Sequence, residues 1–363
     1  MPQFITDLNP SELTKIITSL REPPYRVQQV LNWVYKKYAF SFSEMTDLPL
    51  SFREKLAKVL TLHYVEAVQT VKSIDGTVKV LFSLPDGTTV ESALMLYAPG
   101  AGKPRTTVCL STQVGCAIGC AFCATGQQGF VRSLTAGEIV DQCLYWERYL
   151  NDNPQGRGAD TDHITNIVFM GMGEPFMNYN AVLQAIETIN SPEGLGIGAR
   201  NITISTSGLV PEILRLGQEK LQVGLAISLH SADNALRNTL VPVNRKYPLE
   251  KLMQACREYL LKSGRRISFE YLMLRGVNDS LDQARMLTKL LASMNCHVNL
   301  IPANLTDKGK YQPSFTQVIK AFQAELEKSD IKCTLRQSKG GDIKAGCGQL
   351  RSRYLKSQEM SGR

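Results

Sequence analysis

A chain of 363 residues with 43% hydrophobic and 20% charged side chains has the make-up of an ordinary globular protein, long enough for a main domain and a smaller companion. No 18-residue apolar run is present, and MPQFITDLNPSELTK has no basic stretch leading into an apolar one. The expectation is therefore a cytoplasmic protein with no membrane span and no secretory signal. Lys and Arg outnumber Asp and Glu by 41 to 33, a net charge of +8 that suits a polyanionic partner such as nucleic acid.

Residues 1–62 read as short helices. SELTKIITSL, YRVQQVLNWVYKKY and SFREKLAKVL place apolar residues at three- and four-residue steps, with Pro23, Pro24 and Pro49 between them. Arg21, Arg26, Lys36, Lys37, Arg53, Lys55 and Lys58 stud this segment beside Trp33 and Tyr35. Two readings stand: a helical cap with a solvated basic face, or an RNA-binding accessory domain that holds phosphates and stacks bases. Residues 63–105 read as a β-hairpin extension and loop. VEAVQTV, TVKVLFSL and TVESALMLY alternate, and Asp75-Gly76 and Asp86-Gly87 suit tight turns.

From 106 to 340 the rhythm becomes strand then helix. TTVCLST, ITNIVFMG, NITISTS, VGLAISLH, RISFEYLML, HVNLIPAN and KCTLRQS alternate with helical patterns such as TAGEIVDQCLYWERYL and FTQVIKAFQAELEK. That alternation predicts an α/β fold with a parallel sheet, open or curled as a barrel. Several strands finish in polar groups: Gly173-Glu174-Pro175, Ser205-Thr206-Ser207, Ser228-Leu229-His230 and Asn304. Polar residues at the C-terminal ends of parallel strands are where a barrel enzyme keeps its site. Residues 341–363 form a separate polar C-terminal segment.

Nine cysteines, an odd number in a chain expected to stay reduced, argue against a disulfide framework. Cys116, Cys120 and Cys123 stand together in CAIGCAFCATG. A closed zinc site needs four ligands, yet no second CxxC pair exists and His63, His163, His230 and His297 are scattered. An iron–sulfur cluster held by three thiolates, with one iron left open, fits the spacing best. Gly115, Gly119 and Gly126 allow the loop to wrap, and Phe122 stands ready to shield it. Cys143 and Cys256 fall on apolar helix faces, and Cys296 and Cys333 at strand starts, as packing residues. A lone Cys109 on a strand reads the same way. Cys347 differs, lying in the polar, glycine-flanked SKGGDIKAGCGQL.

The CxxxCxxC spacing with an aromatic before the last cysteine resembles the radical S-adenosylmethionine superfamily, and Gly173-Glu174 resembles its strand end that receives the methionine amino group. VESALMLY, CLSTQVGCAIGCAFCATGQQGFVRSLTAGEIV, FMGMGEPFMNYN, ISTSGLVP, AISLHSADNALRNTLVPVNRKYP, FEYLMLRGVNDS, VNLIPAN and GDIKAGCGQL, in that order, are together similar to the ribosomal RNA adenine-C2 methyltransferases of the RlmN type. The resemblance runs over nearly the whole chain. It implies a partial (β/α)6 radical SAM barrel and a [4Fe–4S] cluster on Cys116, Cys120 and Cys123. S-adenosyl-L-methionine contacts would come from Gly173, Glu174, Ser205, Ser228, Leu229, His230 and Asn304.

The same resemblance makes Cys347 the thiol that takes a methyl group from one S-adenosylmethionine. A second yields the radical that activates the S-methyl for addition to adenine C2 in 23S ribosomal RNA. Cys109 is then the thiol that releases the product by forming a disulfide with Cys347, and Glu91 the proton acceptor; from its strand alone Glu91 reads as solvent-facing. A monomer is implied, with an electron donor such as flavodoxin or ferredoxin and, in some relatives, a transfer RNA adenine as a second substrate. Arg132, Arg245 and Lys246 are candidate phosphate contacts at the barrel rim.

The nearest rival is the Cfr-type adenine-C8 methyltransferase, in which alanine tends to follow the glutamate where this chain has Pro175. DGTTVES also leans towards the C2 enzymes. Two departures from the C2 pattern are Gly346 in place of alanine and Gly-Gly-Asp at 340–342 in place of Gly-Asp-Asp. A zinc-stabilised RNA-binding module accounts for the charge but not for the strand ends.

Overall fold

The structure, a computed structural model, describes residues 2–97, 104–154, 162–303, 311–336, 339–343, 346 and 348–361. The chain begins with a two-residue strand β1 (Gln3–Phe4) and three helices, α1 (Pro10–Ser19), α2 (Arg26–Tyr35) and α3 (Leu50–Val59). Asn9 starts α1 through a capping box with Glu12, each side chain bonding the other's backbone N–H at 2.9 Å. The apolar stripes predicted for these helices are buried: Leu13, Ile17, Val30, Val34, Phe52 and Leu56 all enter the core. A short β2 (Leu60–Thr61) pairs in parallel with β1 and ties this segment's two ends together.

Three antiparallel strands follow, β3 (Glu66–Lys72), β4 (Val78–Ser83) and β5 (Thr89–Tyr97). Their turns fall at the two Asp-Gly pairs, with Asp75 and Asp86 side chains accepting from the N–H of Thr77 and Thr88. The sequence suggests alternation in all three, but β3 is exposed except for a half-buried Val71, and β4 is buried on both faces except at Ser83. The reason is position: β3 is the edge of the sheet, whereas β4 lies inside it.

β5 pairs antiparallel with β6 (Arg105–Cys109), where the alternating part begins. After a small hairpin, β7 (Gln113–Gly115) and β8 (Phe130–Ser133), the chain runs through α4 (Ala136–Asp152), β9 (Asn166–Phe169), α5 (Tyr179–Asn190) and β10 (Ile202–Thr206). It continues with α6 (Val210–Leu216), β11 (Gly224–Ser228), α7 (Asn234–Leu240), α8 (Leu249–Ser263), β12 (Ile267–Met273) and α9 (Leu281–Leu291). β13 (Cys296–Pro302), α10 (Thr316–Glu327), β14 (Cys333–Leu335) and α11 (Gln349–Ser361) complete it. Cys143 and Cys256 are fully buried, as expected.

One ten-stranded sheet, ordered β14-β13-β12-β11-β10-β9-β6-β5-β4-β3, contains all the main strands. Strands from β6 to β14 are parallel neighbours, so the hairpin strands extend the same sheet. The sheet is strongly curled. Arg336, just after β14, brings Nη1 to 4.0 Å from the Met170 sulfur, just after β9. Those strands are five steps apart, about 24 Å if the sheet were flat. This is a mixed α/β partial barrel with an N-terminal helical accessory region. Among the described residues no helix is long and apolar enough to cross a membrane.

Candidate active site

The ends of β9 to β13 converge on a cavity of about 370 Å³. Its wall holds Cys116, Cys120 and Cys123 together with Glu174, Ser205, Ser228 and His230. The β7–β8 hairpin carries the cysteine loop. Gly115 closes it at φ +78°, where a Cβ would lie 2.0 Å from the Gly129 carbonyl oxygen. Cys116 N donates to that oxygen at 2.7 Å, Cys123 N to the Cys120 carbonyl at 3.1 Å, and Ala121 N to the Leu240 carbonyl at 3.0 Å. Phe122 packs edge-on against the His230 ring at 4.7 Å, giving the loop an aromatic wall.

Burial pushes the Cys116 thiol up to about 12, with the charges of Glu174 and Cys123 adding to it. Cys120 is raised by burial and then by Cys123 and Cys116. Cys116 and Cys120, raised in this way, need a cationic centre before they become thiolates. Among the described residues, no three such ligands gather as they would around a single ion. A four-iron cluster is larger and spaces its thiolates more widely.

Gly173 and Glu174 also line the cavity. Glu174 is 4% exposed; Oε2 accepts from both the N–H and the hydroxyl of Ser207 at 2.8 Å, and Oε1 from Phe176 N at 3.1 Å. Burial raises its pKa against those bonds. His230 sits at φ +58° with Nδ1 accepting from Leu272 N at 3.0 Å. That bond leaves Nε2 to carry the proton. Burial, then the charge of Arg237, pulls its pKa down to about 3, so the ring is neutral. Leu229 stands apart from its neighbours: its side chain is buried in the core rather than on the cavity wall. Asn304 and Cys347 lie outside the described residues, but Ala303, Gly346 and Gln349 line the cavity.

Cys109 and Glu91 are not on that wall. Cys109 ends β6, opposite Ala93 of β5. Burial raises its thiol to about 11, with Lys79 and Arg336 pulling it down and Glu91 pushing it up. Glu91 corrects the solvent-facing reading: it is 2% exposed and lies 2.6 Å from Lys79 Nζ, itself 3% exposed. An alternating strand hides this, because β5 is buried on both faces along this stretch.

Sequence reasoning missed Arg237. Fully buried on α7, it donates to the carbonyls of Leu229 at 3.0 Å and Ser207 at 2.7 Å, and to Asn244 Oδ1 at 2.7 Å. It thereby fixes the polar ends of β10 and β11 from behind, although NALRNTL gives no sign that its arginine faces inward. Two other expectations change. Arg132 is engaged by Glu138 through two 2.8 Å bonds and by Asp86. Tyr35 is core, so it cannot stack on a base.

Comparisons with known proteins give the family. A model of the radical SAM superfamily matches residues 110–286, and one of the ribosomal RNA large subunit methyltransferase N-terminal domain matches 5–62. The chain is 42% identical over 354 residues to a Geobacillus kaustophilus protein, covering 98% of this chain and 94% of that one. It is 45% identical over 345 residues to one from Moorella thermoacetica, covering 95% and 96%. Both are named "Probable dual-specificity RNA methyltransferase RlmN". The chain belongs to the RlmN family of radical SAM methyltransferases. A crystal structure of a radical SAM methyltransferase from Sphaerobacter thermophilus superposes with a TM-score of 0.90 at 44% identity, covering 96% of this chain and 99% of that one. RlmN-family membership makes this chain a methyltransferase and brings a [4Fe–4S] cluster and S-adenosylmethionine with it. The three cavity thiols and the Glu174 end of the cavity fit those two groups.

Proposed function

We propose that this protein methylates C2 of an adenine in 23S ribosomal RNA, using Cys347 as a methyl acceptor and Cys109 to release the product. A transfer RNA adenine is a second substrate, in line with the dual specificity in the relatives' names. The observation that carries the reading is a single cavity whose wall holds three thiols, the Glu174–Ser207 pair, and Gly346 and Gln349 on either side of residue 347.

Cys116, Cys120 and Cys123 would hold the cluster. Glu174, with Ser205, Ser228 and the neutral His230, would orient S-adenosylmethionine. Bound together, these groups supply a methyl group in one turnover event and a carbon radical in another, so two S-adenosylmethionines are used per product. The protein's own residues do the rest. Cys347 gives up its thiol proton and takes the methyl group on sulfur. Adenine C2 is electron-poor, so a radical carbon tethered to Cys347 adds there where a polar displacement would not, and tethering makes the step local. Glu91 accepts the C2 proton as the adduct gives up one electron, which the oxidised cluster would take back. Cys109 then attacks the Cys347 sulfur, forming a disulfide as the carbon–sulfur bond breaks, and the proton given up by the Cys109 thiol is balanced by one taken up on the released carbon, which completes the methyl group. The base must leave its stack to reach this cavity, which favours a loop or single-stranded adenine.

Cys109→Ala tests the covalent route: this variant, purified from cells containing the RNA, is expected to carry crosslinked RNA on Cys347. Variant protein that comes away free of RNA contradicts the scheme.

A further inference from the structure

Lys79 and Glu91 grip the main chain on both sides of residue 347. Lys79 Nζ donates to the Gly346 carbonyl at 2.7 Å. Glu91 Oε2 accepts from Gly348 N at 2.8 Å, and Oε1 from Arg351 N at 2.5 Å. Gly348 and Arg351 bracket the start of α11, so a carboxylate from a distant strand supplies what a local N-cap residue usually does. Two buried charges inside a sheet are tolerable only when paired and further hydrogen-bonded. Here those further bonds reach the segment around 347.

The grip has a third side. Gly348 has φ +76°, and a Cβ there would lie 2.5 Å from Thr125 Oγ1 and 2.7 Å from Thr125 N. Gln128 Nε2 donates to the Gly348 carbonyl at 2.8 Å. The segment is thus pressed between the Lys79–Glu91 pair and the end of the cysteine loop.

The sheet register gives this a direction. Lys79 pairs with Ala93, and Ala93 with Cys109, so these three residues form one row across β4, β5 and β6. Residues directly opposite share a face, and so do residues two apart on a strand, so Lys79, Glu91 and Cys109 all project from the same face.

We propose that Lys79 is a positioning residue that, through Glu91, holds Gly346 and Gly348 over the face carrying Cys109 and beside the cysteine loop. Methyl acceptance and thiol exchange then share one fixed place. The functional part rests on the assignment of Cys347 as methyl acceptor made above; the grip itself does not.

The test uses anaerobically purified full-length holoenzyme and the Lys79→Met variant, which keeps the side chain's bulk. Hydrogen exchange is followed in the peptide spanning 346–351. S-methyl occupancy of Cys347 is read by peptide mass, and S-adenosylmethionine affinity by titration. We expect exchange at least tenfold faster and S-methyl occupancy at least tenfold lower in the variant, with iron content kept and affinity within twofold of wild type. Unchanged exchange and occupancy in folded K79M would overturn the proposal. Should K79M fail to fold, the wild type still decides: a Gly348 amide exchanging as freely as an exposed loop overturns it, and a protected one supports it. Faster exchange in K79M with no S-methyl on wild-type Cys347 would sink the methyl-acceptor reading and leave the grip standing.

Discussion

Arg237 donates to the carbonyls of Leu229, Ser207 and Ser228 from a fully buried position on α7. Replacing it with methionine keeps most of the volume but leaves buried acceptors without a donor, at roughly 1–3 kcal/mol for each one orphaned. Arg237→Met is therefore expected to lower unfolding free energy by about 3 kcal/mol in urea titration and to weaken S-adenosylmethionine binding, because the strand ends it fixes line the cavity. A variant as stable as wild type would show that these bonds contribute little. At this scale the sequence was unevenly legible. Cys116, Cys120, Cys123 and Glu174 announce themselves because spacing and neighbours repeat a recognisable pattern. Arg237, Glu91 and Lys79 do not, since what defines them is a partner on another element, and strand or helix periodicity carries no record of that.

One carboxylate of helix α4 ties it to the chain just after β2. Asp141 Oδ1 meets His63 Nδ1 at 2.8 Å, and its Oδ2 accepts from Tyr64 N at 2.6 Å and Val65 N at 2.9 Å. Burial works to lower the His63 pKa, but the hydrogen bond and charge of Asp141, helped by the Ala39 carbonyl, raise it on balance. A raised folded-state pKa stabilises fully below the unfolded value of about 6.5, and that contribution disappears as pH climbs through the folded value. The stability lost in His63→Gln is thus expected to be largest below about pH 6.5 and to shrink as the pH rises through the raised folded-state value, read from denaturant midpoints. A pH-independent difference would mean that His63 acts only by packing. The elements themselves were largely readable, because apolar runs and 3.6-residue stripes reflect burial directly. β3 and β4 were misread: whether a strand is buried on two faces, one or none depends on its place in the sheet, and the alternation rule assumes one.

For the molecule as a whole, the charge of +8 points to a polyanion, but many of the basic side chains already have local partners. Lys55 reaches Glu22 at 3.2 Å, Lys37 lies over the Trp33 ring, and Arg132 is held by Glu138 and Asp86. Arg245 and Lys246 are exposed in the turn that follows α7. Reversing both to glutamate is expected to raise the KM for RNA about tenfold at low salt and to flatten its salt dependence, leaving S-adenosylmethionine affinity unchanged. No change in the salt slope would place the phosphate contacts elsewhere.

The most direct test of the account is to incubate the anaerobically reconstituted enzyme with unmodified 23S ribosomal RNA, S-adenosylmethionine and a one-electron reductant, then digest the RNA and locate the new methyl group by mass spectrometry. The expected product is 2-methyladenosine, with none formed by Cys347→Ala. A methyl group on C8, on a nitrogen or on a ribose, or C2 methylation that survives loss of Cys347, would contradict it.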